Sequence, residues 1–269
     1  MRRNWFLPVA ATLGFVFLYA PIVSLVVFSF NESRLVTVWS GFSTKWYGEL
    51  LRDQQMLSAA WRSLQIAAVS ATIALVLGTL CAVALVRFKR FRGKTILAGT
   101  VAAPLVMPEV ISGLALLLLF IGMEAVFGWP RGRGILTIII AHSTFCMAYV
   151  TVVVQSRLSD FDISLEEAAM DLGATPARVF FDITLPIIAP ALISGWLLAF
   201  TLSLDDVVIS TFVSGPGSAT LPMEIFAKVK LGVSPDVNAL ATIIIGVVAL
   251  GVVAATLVQM RGRPKSKRA

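Results

Sequence analysis

Six stretches of the chain are predominantly apolar, at residues 9–30, 64–86, 96–121, 135–155, 187–209 and 238–260, and none of them contains lysine or arginine. Each is long enough for a helix crossing a bilayer, which takes roughly 20 residues. The apolar residues run on continuously and do not alternate, which selects helices over a membrane β-barrel. Lipid cannot hydrogen-bond a bare backbone, so a spanning segment satisfies its amides within its own helix. The pattern predicts an all-α integral membrane protein with six transmembrane helices. Arg2 and Arg3 give the first stretch the basic start of a signal peptide. Its apolar run is too long and no small-residue cleavage site ends it, so it reads as an uncleaved anchor.

The basic residues orient these helices. With both termini in the cytoplasm, 14 of the 22 lysines and arginines lie inside and eight outside. The inside set comprises Arg2, Arg3, the five from Arg87 to Lys94, Arg157, Arg178 and five in the tail from Arg261 onward. That bias is the one expected of cytoplasmic loops. Only 14% of residues are charged and 58% are hydrophobic, against about 25% charged in a soluble domain. The mean hydropathy is +0.88. The net charge of +7 follows from topology and contact with anionic lipid and gives no reason to invoke nucleic acid.

Little in the chain suggests covalent chemistry. Cys81 and Cys146 fall inside the second and fourth stretches, at a spacing that fits no metal or redox motif, and read as small packing residues. His142 is the single histidine; alone it builds neither a metal cage nor a catalytic triad, and it reads as a helix-packing or lining residue. Trp5, Trp39, Trp46, Trp61 and Trp129 lie near the ends of the stretches and read as interfacial anchors. Gly93-Lys94-Thr95 imitates the end of a phosphate-binding loop, but the required earlier glycine is replaced by Phe88. No catalytic residue, metal ligand or nucleotide site is expected here, so any ATP drive comes from another chain.

Residues 156–186 hold the densest local grammar. A connection between antiparallel helices needs only about 2–8 residues. Ser164-Leu165-Glu166-Glu167 has the form of a capping box, with Ser164 at the N-cap and Glu167 at N3. Leu165, Ala168, Ala169 and Leu172 recur with helical spacing and form one apolar face. Gly173 is placed to end that helix in a left-handed conformation. Thr175-Pro176 supplies an N-cap and an N1 proline for a second helix, and Pro186 introduces the next apolar stretch. The segment is predicted to be a cytoplasmic helix–turn–helix. Its acidic side carries Glu166, Glu167 and Asp171 beside the apolar one, a surface suited to a partner's groove.

Glu167-Ala168-Ala169, Gly173 and Ile183-Thr184-Leu185-Pro186 match E-A-A-x3-G-x9-I-x-L-P without a departure. The chain thereby resembles the permease subunits of binding-protein-dependent ABC importers. The resemblance implies the type I importer fold, with a family core over roughly 60–260 of a single permease domain 1–269. It makes 1–59 a first anchor plus periplasmic segment and 156–186 the coupling loop. Glu167, Ala168, Ala169, Gly173, Ile183, Leu185 and Pro186 are implied to couple to an ATPase, Glu167 by meeting a basic residue there. Gly41-Phe42-Ser43, Trp46-Tyr47, Leu50-Leu51, Pro104 to Glu109, Ser203 to Ser210, Val213 to Gly217 and Leu221-Pro222 are similar to the polyamine branch of that family. That branch implies putrescine or spermidine as cargo and a multi-pass location in the bacterial inner membrane. It also implies a second, different permease subunit, two ATPase subunits holding ATP and magnesium, and a periplasmic polyamine-binding protein.

The acidic residues within the stretches support a cationic cargo independently. Glu109, Asp205 and Asp206 lie inside them with no basic residue in any stretch. Each costs about 2.5–3.5 kcal/mol at mid-membrane on insertion scales, so together they ask for a compensating cation. Pro104 and Pro108 free backbone carbonyls beside Glu109. Asp205 shares a helical face with Thr201, Leu198 and Ser194, and Asp206 with Ser203 and Ser210. One of the pair is expected to line a path and the other to pack at a subunit boundary, with Asp205 preferred as lining. Trp196 offers a cation–π face, or packing. Two alternatives stand beside this reading: an ABC permease for another cation or a zwitterion, and a proton-coupled secondary transporter, which leaves the docking-type loop unexplained.

Overall fold

The computed structural model describes residues 5–35, 38–88, 90–232 and 235–262, with side chains for all of these except 231 and 251–262. Arg2, Arg3, Lys89, Arg263, Lys265, Lys267 and Arg268, on which part of the inside count rests, lie outside the described residues. Among those described the secondary structure is helical, apart from one isolated bridge between Asn31 and Phe42. Among the described residues five helices are long and apolar enough to cross a membrane, and two shorter apolar ones accompany them. The chain groups into two compact units, Ser58–Glu224 and Met1–Leu57 with Ile225–Ala269.

The terminal unit contains α1 (Phe6–Phe28), α2 (Lys45–Leu50) and α12 (Pro235–Gly262). No residue of α1 is buried, although it packs along α12; a helix apolar all round with so much exposed surface is suited to lipid or another membrane chain. After it the chain folds about Asn31. The Asn31 amide donates to Val38 O at 2.7 Å, and its Oδ1 accepts from Ser40 N at 3.0 Å. Trp46 donates its indole N–H to Asn31 O at 2.7 Å and is only 4% exposed. Trp46 is therefore a core residue and not the interfacial anchor its position suggested. Trp5, Trp39, Trp61 and Trp129 remain exposed.

Lys228, on α11 (Leu221–Leu231), closes this unit by donating to Asp53 Oδ2 at 2.8 Å and to Asp236 Oδ2 at 2.6 Å. The hydrogen bond from Lys228 holds the Asp53 carboxyl below the usual range. Burial opposes the Lys228 charge, but the bonds to Asp236 and Asp53 outweigh it and hold the amine above its ordinary value. Stability from Asp53 is present above the ordinary carboxylate range and is lost as pH falls through its lowered folded value. Stability from Lys228 is complete below its ordinary value and is lost as pH rises through its raised one. The cluster is thus expected to contribute evenly between about pH 5 and 9. Lys228→Met should shrink the loss of thermal stability on the acid side. Thermal unfolding of detergent-purified protein across pH measures this, and an acid limb equal to the wild type's would remove Lys228 from the account.

The central unit is built on α6 (Ile135–Ser159), whose Ile138, Ala141, Cys146, Val150 and Val154 are fully buried. Around it pack α9 (Leu185–Asp205), α10 (Val208–Val213), α5 (Glu109–Phe127) and α4 (Lys94–Val106), and α3 (Gln54–Arg87) meets it at Ser70 and Gly78. Small residues set the approach. A Cβ at Gly78 of α3 would stand 2.8 Å from Val150 Cγ1, and one at Gly113 of α5 would stand 2.7 Å from Phe212 Cδ2 of α10. Glycine there lets neighbouring helices touch closely, as membrane helix pairs commonly do. Both cysteines are free thiols; Cys146 is buried, its Sγ 3.4 Å from Ala199 O.

Two predicted spans are interrupted. The stretch 96–121 divides into α4 and α5 at Met107 and Pro108, both extended, at ψ 139° and 138°. Proline pushes the residue before it out of the helical region, so Met107 ends the helix. Glu109 therefore opens a helix and does not lie within one, and at that N-terminus the helix dipole favours its charge. The stretch 187–209 likewise ends as a helix at Asp205; Asp206 is extended at ψ 128°, and α10 follows.

Candidate functional site

Asp205 and Asp206, adjacent in sequence, do different things. Asp205 is exposed at the end of α9. Asp206 turns inward: its Oδ1 accepts from Ile209 N at 3.2 Å and its Oδ2 from Ser210 N at 2.7 Å, satisfying amides at the start of α10. Its Oδ2 also lies 3.1 Å from His142 Nε2, and the Asp206 side chain is 6% exposed. His142 is 1% exposed, with Nδ1 at 2.6 Å from Ser203 Oγ and Nε2 at 3.0 Å from Ser210 Oγ. The network is satisfied when Nε2–H donates to Asp206 and the Ser203 hydroxyl donates to Nδ1. One expectation is corrected here: Asp206 has an in-chain partner in His142. Of the two readings open for His142, packing is the one found, as the polar centre joining α6, α9 and α10. Sixty-four residues separate Asp206 from His142, so no local spacing could have paired them.

Glu109 and Asp205 stand exposed at the two helix breaks, and neither forms an ion pair among the described residues. Trp196 is half-buried; it stacks on Phe200 with centroids 5.2 Å apart and donates its indole N–H to Thr72 Oγ1 at 3.1 Å.

The segment after α6 forms α7 (Ser164–Asp171) and α8 (Pro176–Val179). Gly173 is left-handed at φ +88°, and Thr175 Oγ1 accepts from Arg178 N at 3.4 Å with Pro176 at N1, as expected. The capping box is not formed. Ile163 precedes the helix, and Asp162 Oδ1 accepts from Ser164 N at 3.0 Å, which leaves the Ser164 hydroxyl without the capping role. That bond, reinforced by the Ser164 side chain, holds the Asp162 carboxyl below its usual range. Glu166 is drawn elsewhere: its Oε1 accepts from Arg87 Nη2 at 2.7 Å and from Thr184 Oγ1 at 2.6 Å. Glu166 is therefore not part of the outward acidic side. Nor is the second helix separate from the next span. A π-helical turn, Phe180–Thr184, joins α8 to α9, so one apolar helix runs Pro176–Asp205. Pro186 lacks an amide donor, and the wider π turn just before it absorbs that gap.

What α7 presents outward is Glu167, Ala168 and a largely apolar margin. Leu165 is 49% exposed, Ile163 47% and Leu172 91%. Ala169 is half-buried, and Ile183, Leu185 and Pro186 belong to the π turn and the first turn of α9. Leu165 and Leu172 thus stand exposed on a short helix that also carries the exposed acids Glu167 and Asp171.

Residues 74–263 match the model of the family described as "binding-protein-dependent transport system inner membrane component". The chain is 62% identical to the putrescine transport system permease protein PotI of Escherichia coli (strain K12), over 93% of this chain and 89% of that protein. It is 44% identical to the spermidine/putrescine transport system permease protein PotC of the same strain, over 95% and 93%. Among solved structures it resembles a chain of a bacterial ABC transporter involved in the import of the acidic polysaccharide alginate. There the TM-score is 0.70 at 17% identity, covering 98% of this chain and 99% of that one. It also resembles a chain of the MetNI methionine ABC transporter, with a TM-score of 0.61 at 17% identity over 82% and 100%; both structural likenesses concern the fold. With spans, broken helices and the α7 loop in place, the chain belongs to the family of binding-protein-dependent transport system inner membrane components.

Proposed function

We propose that this chain is one permease subunit of an ATP-driven importer that moves polyamines, putrescine foremost and spermidine with it, across the inner membrane by alternating access. Both termini lie in the cytoplasm in this reading. Two ATPase subunits bind ATP and magnesium and take α7 into their clefts, with Glu167 meeting a basic residue. A second, homologous permease completes the path, and a periplasmic binding protein delivers the cargo. This chain performs no covalent step and holds no cofactor of its own. The observation that carries the cargo is the 62% identity to a putrescine permease over most of both chains. The exposed carboxylates Glu109 and Asp205 at the helix breaks supply chemistry suited to ammonium groups, and as surface-type contacts they hold a cation loosely enough to release it.

Uptake of labelled putrescine by cells lacking the chain, with and without its restoration, tests this, with spermidine and a neutral amino acid as competitors. Restoration should rescue uptake and only polyamines should compete. Glu109→Gln and Asp205→Asn should each lower uptake roughly three- to tenfold, since a hydrogen bond to a charged group exceeds a neutral one by about 1 kcal/mol. Normal uptake in both variants refutes the pathway assignment, and competition by the amino acid refutes the polyamine cargo.

A further inference from the structure

We propose that Arg87 and Glu166 are a positioning pair that locks the docking helix to the membrane helices, so that movement imposed on α7 is delivered to α3 and α9 together. The inference rests on the importer reading above. Glu166 Oε1 receives two donors from different elements: Arg87 Nη2, at the last residue of α3, and Thr184 Oγ1, in the π turn that leads into α9. The pair is sheltered, with side chains 18% and 14% exposed. The Arg87 guanidinium also lies over the Phe161 ring, 5.1 Å from its centroid, so the segment entering α7 rests on the same cation. Val83, Met170, Val179 and Phe180 line one pocket together with the pair and give it largely apolar surroundings, in which opposite charges attract more strongly than in open water.

The geometry divides two neighbouring glutamates by task. Glu167 faces out, where a partner can reach it, and Glu166 faces in. The turn after α7 is short and ends in the left-handed Gly173, a single-residue hinge if nothing else held the helix. With the clasp made, a push on α7 cannot be spent in that hinge without breaking two short hydrogen bonds to one oxygen. A clasp serving only stability would lower transport and ATP hydrolysis in proportion when broken. A positioning clasp would separate them.

The experiment uses the complete importer in proteoliposomes, with this chain as wild type, Glu166→Gln, Arg87→Gln or the charge-swapped Arg87→Glu/Glu166→Arg. It reads the amount of ATPase subunit retained, the rate of ATP hydrolysis and putrescine moved per ATP. The single variants should retain ATPase and hydrolysis but lose at least about fivefold in putrescine per ATP, the low end of measured site-to-site coupling. The charge swap should recover most of that ratio. Wild-type ratios in both single variants, or proportional loss of uptake and hydrolysis without rescue, overturn the proposal. If Glu166→Gln does not assemble, Thr184→Val removes only the second donor to the same oxygen and is read in the same way. If the wild-type importer itself moves no putrescine, the cargo assignment fails alone. The clasp is then read from maleimide labelling of Val83→Cys in a Cys81→Ser/Cys146→Ser background. Vanadate trapping of the ATPase should change the labelling rate when Glu166 is present and not in Glu166→Gln; equal behaviour overturns it.

Discussion

Replacing Asp206 with alanine is expected to destabilise the chain by about 3 kcal/mol, the sum of a buried charged hydrogen bond and a lost helix cap. Asp205→Asn, one residue away, should change stability by less than about 0.5 kcal/mol. The contrast follows from where each carboxylate goes. Asp206 accepts the amides of Ile209 and Ser210 at the start of α10 and sits 3.1 Å from His142 Nε2. Alanine leaves those two amides without their acceptor in a segment where lipid offers none. His142 keeps the hydroxyls of Ser203 and Ser210, so the loss stays at the low end of the roughly 3–5 kcal/mol seen when a buried ion pair is fully orphaned. For a chain of this size the expected fall in melting temperature is roughly 6–12 °C. Thermal unfolding in detergent measures it. Equal melting of Asp206→Ala and Asp205→Asn would sink the division of labour between them.

That division also marks the limit of what was legible in the sequence. Features set by a few neighbouring residues could be read directly. Gly173 takes the left-handed turn and Thr175-Pro176 caps α8 because both depend on adjacent backbone geometry. The break at Met107 is signalled by Pro108 but hidden from hydropathy, because the apolar run continues on both sides and hydropathy is blind to backbone conformation. The capping box failed for a related reason. Asp162, two residues before Ser164, takes the Ser164 amide that the Glu167 carboxylate would have accepted from, by the short-range turn that aspartate favours. Partners 79 residues apart in sequence, as Arg87 and Glu166 are, meet only once α3 and α9 are packed. Helical periodicity alone assigned Glu166 to the outer acidic side, since it places a residue on a helix and says nothing about the neighbouring helix. Trp46 follows the same logic: its position beside a span is shared by the exposed tryptophans, and only the fold about Asn31 buries it.

Leu172→Asp is expected to remove at least about nine-tenths of the ATPase subunit that co-purifies with the chain, with little effect on the chain's own melting. Leu172 is 91% exposed and ends α7 beside the left-handed Gly173. It therefore contributes little to this chain's packing and is free to contribute to another's. Burying a leucine completely in a partner's groove is worth about 1.5–3 kcal/mol, a factor of roughly ten to a hundred in affinity. The aspartate forfeits that and adds a charge that must be desolvated on docking. Glu167→Ala should weaken attachment less, since a rim charge acts more on encounter and orientation than on affinity. Glu166→Gln should leave attachment nearly intact, because its carboxylate is already spent on Arg87 and Thr184. The three variants thus rank differently for attachment and for transport per ATP: Leu172→Asp fails at docking, and Glu166→Gln docks but transmits poorly. Quantitative co-purification from membranes expressing the complete importer measures the ranking. Undiminished ATPase recovery with Leu172→Asp would show that the partner covers some other face, and α7 would lose its place as the docking helix.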